Sequence, residues 1–193
     1  MSRVFKTRFL TLKAATVFCQ LFFTPAAQAQ EKPLITPARD VDVTYDVTRP
    51  DQQRTSKRVR WLVSEDLERV DSPDRSATIF DRRRNEIIVL NPASRTLVML
   101  EGAPPQLPVP TTGETLKRVD SSIVAGLPCI NWMWAVDAQI HTVCLTSDGV
   151  LLRLVVDGKT TLLARSVAYG PQKADLFEVP PSYVPAFVSG TDL

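Results

Sequence analysis

From Val41 onward, apolar and polar residues alternate with a period of two almost everywhere, and no stretch sustains the 3.6-residue period of a capped amphipathic helix. Val41, Val43, Tyr45 and Val47 are separated by Asp42, Thr44 and Asp46. Successive side chains of an extended chain point to opposite faces, so this is a strand with one face buried. The pattern returns in KRVRWLV (57–63) and LERVD (67–71), and the short runs SATIFD (76–81), EIIVLN (86–91) and TLVMLE (96–101) follow. Turn residues such as Ser72-Pro73-Asp74 and Asn91-Pro92 separate these runs. The period alone therefore limits the chain to a sheet of short antiparallel strands.

The segment 102–113, GAPPQLPVPTTG, interrupts the pattern with four prolines, which excludes a central paired strand. It predicts a strap between two halves of one sheet, with Leu107 and Val109 available to lie on an apolar surface. Beyond it, a strand over 116–123 leads to CINWMWAV (129–136), QIHTVCLT (139–146), VLLRLVV (150–156) and TTLLARSVAY (160–169). Asp157-Gly158 between the last two is a strong type I′ hairpin signal. The aromatic, Pro-interrupted end (170–187) is expected to pack as an ordered segment, and a short helix fits only in 102–115 or 172–178. The fold class expected is mainly β: a single antiparallel curved sheet, a half-barrel of about nine to eleven strands with at most one or two short helices.

The first 29 residues have a different character. Arg3, Lys6, Arg8 and Lys13 precede an apolar run, Ala14 to Phe23, and Ala27-Gln28-Ala29 offers small residues at a cleavage site. This is the pattern of a secretory signal peptide, and the apolar core is about half of the ~20 residues that a spanning helix needs. The organisation expected is a signal peptide (1–29), a flexible lead-in (30–39), one β domain (40–187) and a tail (188–193). Removing the signal takes Lys plus Arg from 23 to 19 against 21 Asp plus Glu, so the remaining chain carries a formal charge of −2. Nucleic acid then has no electrostatic basis as a partner.

Export also assigns the cysteines. Cys19 leaves with the signal, and Cys129 and Cys144 remain as an even pair bound for an oxidising compartment, which predicts a disulfide. The rival reading, a metal pair, lacks close spacing and has a single histidine in the chain to draw on. A four-residue turn over Ala135–Ala138 would set Cys129 opposite Cys144, Trp132 opposite His141 and Trp134 opposite Gln139.

Little in the chain points to catalysis. His141 lies mid-strand with no carboxylate placed beside it by spacing, and the nucleophile, zinc and phosphate-loop motifs are missing. Asp81, Asp120 and Asp148 sit at turns or on exposed strand faces and are read as structural. The residues singled out for binding are the aromatics Trp61, Trp132 and Trp134, as a candidate ligand face, and Arg82, Arg83 and Arg84, as a candidate docking patch. No cofactor and no metal are expected.

The runs Val124-Ala125-Gly126-Leu127-Pro128-Cys129, Val143-Cys144-Leu145-Thr146 and Asp148-Gly149-Val150-Leu151-Leu152-Arg153, together with Trp132, resemble a family of exported bacterial proteins of unassigned function. Tyr169-Gly170-Pro171-Gln172 and Phe177-Glu178-Val179-Pro180 extend the resemblance. That family is similar in fold to the periplasmic lipoprotein-carrier half-barrel, whose concave face can hold acyl chains. No ligand-binding residue of the carriers has a counterpart here. The resemblance implies the fold and a periplasmic or secreted location. The alternating strands, the aromatic face and the lack of a catalytic constellation point to a non-enzymatic binding or carrier-like module for a lipid or other apolar ligand, touching membranes only transiently if at all. The alternative is an envelope protein-interaction or envelope-stress component that uses a sheet edge or the basic turn; a hydrolase is the least favoured reading.

Overall fold

The computed structural model describes residues 32–103, 116–136 and 138–186. The segment 1–29 expected to be a signal peptide, the centre of the expected strap with Leu107 and Val109, and the tail 188–193 lie outside the described residues. The strands are β1 (Val41–Thr48), β2 (Arg54–Leu62), β3 (Leu67–Asp71), β4 (Ala77–Asp81), β5 (Glu86–Asn91) and β6 (Thr96–Glu101). They continue as β7 (Lys117–Val124), β8 (Leu127–Val136), β9 (Gln139–Leu145), β10 (Leu151–Val156), β11 (Lys159–Tyr169) and β12 (Val184–Pro185). All twelve belong to one sheet, in the order β12-β6-β5-β4-β3-β2-β1-β11-β10-β9-β8-β7. Among the described residues the strand count exceeds the expected range by one, because the two-residue β12 adds itself parallel to β6. The helical content among the described residues is two single 3-10 turns, Val63–Glu65 and Ala174–Phe177.

Every pair of consecutive strands from β1 to β6 and from β7 to β11 is a hairpin, whereas β6 and β7 stand ten interstrand steps apart. Two runs of hairpins are thus joined side by side through β1 and β11, and the right-handed twist of the strands curves the sheet they build.

The hairpin β8–β9 corrects the expected register. Val136 pairs with Gln139, so two residues rather than four make the turn, and Ala138 takes φ +64°. Pairing persists to the end of the apolar run because a tight two-residue turn matches the strand twist. Trp134 therefore faces His141, Trp132 faces Val143, and Cys144 faces Asn131 rather than Cys129. Cys129 stands two residues from Asn131, on the same face, and the disulfide Cys129–Cys144 forms across the diagonal with a Cα–Cα distance of 5.4 Å. The predicted bond is present in a shifted register.

Val41, Val43, Tyr45 and Val47 define what we call the inner face of β1. Direct partners carry it along Val47, Leu162, Leu154 and Val143 to Trp132. Over β8–β10 the inner face is filled: Trp132, Trp134, Val143 and Leu145 form one cluster, with Ile35, Leu116 and Leu151 packed against it. The largest cluster joins Val41, Val43 and Tyr45 to Val150, Leu152, Ala164 and both cysteines. A third cluster lies on the outer face of β4–β6, where Ile79, Leu90 and Leu97 are covered by Val179 and Tyr183. The aromatic end of the chain thus packs as expected, with Phe177 buried. Over β1–β3 the outer face carries a net of ion pairs in which Arg58 and Arg60 meet Asp42, and Arg60 and Arg69 meet Asp71.

The lead-in also has a defined place. Ala38 donates its amide to the carbonyl of Asp148, Pro37 is buried, and the Arg39 guanidinium stacks on the Tyr169 ring while pairing with Asp148 at 2.7 Å. A Cβ on Gly149 (φ +86°) would stand 2.1 Å from the Thr36 carbonyl oxygen, so only glycine lets the lead-in approach this turn.

Candidate functional site

Two rows of inner-face side chains run across β1–β6. The first is Val41, Trp61, Glu68, Phe80, Ile87 and Leu100, each directly opposite the next. The second is Val43, Val59, Val70, Thr78, Val89 and Val98. An apolar residue stands at nearly every one of these positions, and on β5 and β6 the opposite face is apolar too. Over β4–β6 they are only half-buried, and Leu100 is 50% exposed. From Trp61 to Leu100 the track spans four interstrand steps, roughly 19 Å.

Where this track meets β1 and β10 there is a cavity of about 450 Å³, bounded by Val43, Tyr45, Val59, Trp61, Leu151 and Leu162 and roofed by Ile35–Pro37 of the lead-in. That is within the usual range of about 300–1,000 Å³ for small-molecule sites. The Tyr45 hydroxyl donates to the Leu151 carbonyl at 2.7 Å, and burial holds its pKa far above the usual tyrosine range. The phenol is thereby kept neutral inside an apolar wall.

Glu68 is the one charged residue in the two rows. Its partner is Arg82, from the β4–β5 turn, whose Nη2 donates to Glu68 Oε2 at 2.6 Å. The Arg82 guanidinium lies over the Trp61 ring, 4.3 Å from its centre. Both charged side chains are about 15% exposed. Burial raises the Glu68 pKa, and the ion pair with Arg82 offsets this only in part. Arg82 Nη1 is buried with no hydrogen-bond partner among the described residues, an expensive condition for a guanidinium donor. Sequence reasoning places neither Glu68 nor Asp66 in any site. Alternation assigns Glu68 to a face, but nothing local in LERVD shows that this face is the apolar one.

The residues singled out from sequence separate into different surroundings. Trp61 lines the cavity, whereas Trp132 and Trp134 are each 3% exposed in the filled half. The three arginines also part company. Arg82 turns inward, Arg83 pairs with Glu65 in the open, and Arg84 is largely solvent-exposed, its guanidinium 3.5 Å from Asp81. Asp81 accepts the amide of Arg84, and Asp120 accepts from Asn131. Asp148 accepts from Thr146, Arg39 and Tyr169. Its burial would raise the pKa, but those three donors together hold it below the ordinary aspartate range. His141 stacks on Trp134 at 5.3 Å between ring centres, and neither ring nitrogen has a hydrogen-bond partner among the described residues. Among the described residues, no group of three or more His, Cys, Asp or Glu is placed to hold a metal ion.

No protein-family model and no curated protein matches the chain. Solved structures do match its fold. An uncharacterized conserved protein from Thermus thermophilus aligns with TM-score 0.54 and 15% identity over 77% of this chain and 91% of its own. MucB aligns with TM-score 0.55 and 14% identity over 77% of this chain and 60% of its own. MucB in the Pseudomonas aeruginosa MucA/MucB complex aligns with TM-score 0.52 and 15% identity over 74% of this chain and 56% of that one. The chain thus spans little more than half the length of MucB. A putative outer membrane lipoprotein-sorting protein domain from Vibrio parahaemolyticus aligns at TM-score 0.33, too loosely to add to the fold assignment. The curved antiparallel sheet is a fold this chain shares with the Thermus protein and with MucB.

Proposed function

We propose that this chain is a non-enzymatic binding module of the bacterial envelope, directed there by the signal segment 1–29, whose inner face over β2–β6 holds an extended apolar ligand such as an acyl chain. The observation that carries this reading is the half-buried double row from Trp61 to Leu100 and from Val59 to Val98, opening beside a 450 Å³ cavity. Apolar surface left this accessible in one strip commonly marks a site of contact. The likeness to the MucB fold is compatible with it, although so remote a likeness speaks for the fold alone.

A fluorescent fatty-acid probe tests the reading. Wild-type protein should take up the probe with a saturable fluorescence rise, and Val89→Lys, which puts a charge in the middle of the second row, should abolish it. Absence of saturable uptake by folded wild type, together with a ligand-free mass for protein purified from the periplasm, would overturn it.

A second reading rests on the β7 edge, which has no further strand beyond it among the described residues and exposes Val119 (54%) and Ile123 (78%). An extended segment of an envelope protein could add there as a further strand. Proline at Ser121, which removes one edge donor, should then abolish capture of that partner and leave probe uptake unchanged.

A further inference from the structure

We propose that the inner-face cavity selects single-chain amphiphiles with an anionic head, and that Arg82 anchors the head by exchanging Glu68 for the ligand. The proposal rests on the binding reading above and adds the chemistry of the head group. Three observations carry it.

First, Arg82 is preset as a cation with spare capacity. A guanidinium offers five N–H donors in a planar fork. Glu68 takes up Nη2, while Nη1 stays buried without a partner among the described residues. Second, Arg82 is held in place by something other than its counter-ion. It lies 4.3 Å over the Trp61 ring, and cation–π attraction keeps a guanidinium in position when its carboxylate leaves. Third, charge and apolar surface meet at this point alone within the two rows. Glu68 and Arg82 stand on the cavity wall, with Trp61 and Val59 on one side and the Phe80–Leu100 track on the other. A ligand that puts an anion on Arg82 can lay a hydrocarbon chain along either without burying an unpaired charge.

Glu68 is suited to being displaced. Desolvation holds its carboxyl above the ordinary glutamate range despite Arg82, so it takes up a proton readily once the ligand's anion replaces it. The exchange conserves charge: one carboxylate leaves Arg82 and is neutralised by a proton from solvent, and one anion arrives. The other titratable groups on the cavity wall are Asp66 and Tyr45, and Tyr45 is kept neutral by burial. His141 lies in the filled half of the sheet.

Laurate and dodecanol, competing for the fluorescent probe in the full chain without its signal segment, test the proposal. Laurate should bind about tenfold or more tightly than dodecanol, the ratio expected for a charge-assisted hydrogen bond. Arg82→Gln should erase that ratio by weakening laurate alone. Glu68→Gln keeps the arginine and removes its competitor, so it should raise laurate affinity even if Arg82→Gln folds poorly. Wild-type affinity for laurate should increase as pH falls from 8 to 6, and Glu68→Gln should make the profile flat, which separates Glu68 from His141. Acetate, which has no chain, should not compete. Equal binding of laurate and dodecanol, or a flat wild-type pH profile, would overturn the proposal and leave the apolar-binding reading intact. Failure of both ligands and of the probe would overturn the two together.

Discussion

The two halves of the inner face are both rich in apolar side chains and end in opposite states. Over β8–β10, Trp132 and Trp134 are closed in by Val143 and Leu145, and by Ile35 from the lead-in. Over β4–β6, Phe80, Ile87, Val89 and Val98 stand half-buried with no such cluster across them among the described residues. There the residues that build a core, Ile79, Leu90 and Leu97, lie on the other face under Val179 and Tyr183. The difference lies in what the chain lays on each half: its N-terminal segment covers one inner face, and its C-terminal segment covers the opposite outer face. A strand's pattern says which residues want cover, whereas the connections decide which of them receive it.

The sharpest way to break this contrast is to hollow out the filled half. Trp132→Ala should cost about 3–5 kcal/mol in denaturant unfolding. Almost as large is loss of the disulfide: Cys129→Ser with Cys144→Ser should remove about 3 kcal/mol on the chain-entropy account of a loop this size. Unchanged stability after reduction of the wild type would contradict that. Gly149→Ala puts a Cβ against the Thr36 carbonyl and should cost about 2 kcal/mol. It should also raise proteolysis of the lead-in, because Ile35 would lose its seat on the tryptophans.

Asp148 holds the same junction by charge. Its pKa is depressed in the folded chain, so it contributes stability above the ordinary aspartate range and loses it as pH falls through the folded value. Asp148→Asn should be less stable than wild type at pH 7, and the gap should close below about pH 4. The smallest effect belongs to the open half: Leu100→Ser should change stability by less than about 0.5 kcal/mol while weakening probe uptake. A large loss of stability there would mean that this half too is a core.

Most of the fold was legible because short β-rich runs, alternating as over 41–47 or bounded by turn residues as at Asn91-Pro92, mark strands. EIIVLN and TLVMLE are strands to the residue, and Asp157-Gly158 makes the expected hairpin with both φ values positive. The β8–β9 register was not legible: Ala138 adopts a left-handed conformation that its residue type does not advertise. The cavity pair was harder still. Glu68 and Arg82 are fourteen residues apart, and Arg82 looks like its two neighbours in a basic turn until the sheet curls. β12 gave no signal, since a two-residue parallel addition ending in proline has no period at all.

The position of β1 has a consequence for how this molecule comes into being. β1 lies mid-sheet, between β2, its nearest neighbour in sequence, and β11, made more than a hundred residues later. The strands β3 to β6 can assemble on β2 as soon as they exist, and β7–β11 can do the same among themselves. The seam Val41–Tyr169 must wait for both, and closing so long a loop is the slow, entropically costly step. Until it closes, the apolar, half-paired β1 stays open to wrong partners along one edge. The time needed to close that seam sets how long the nascent chain must be kept from its copies.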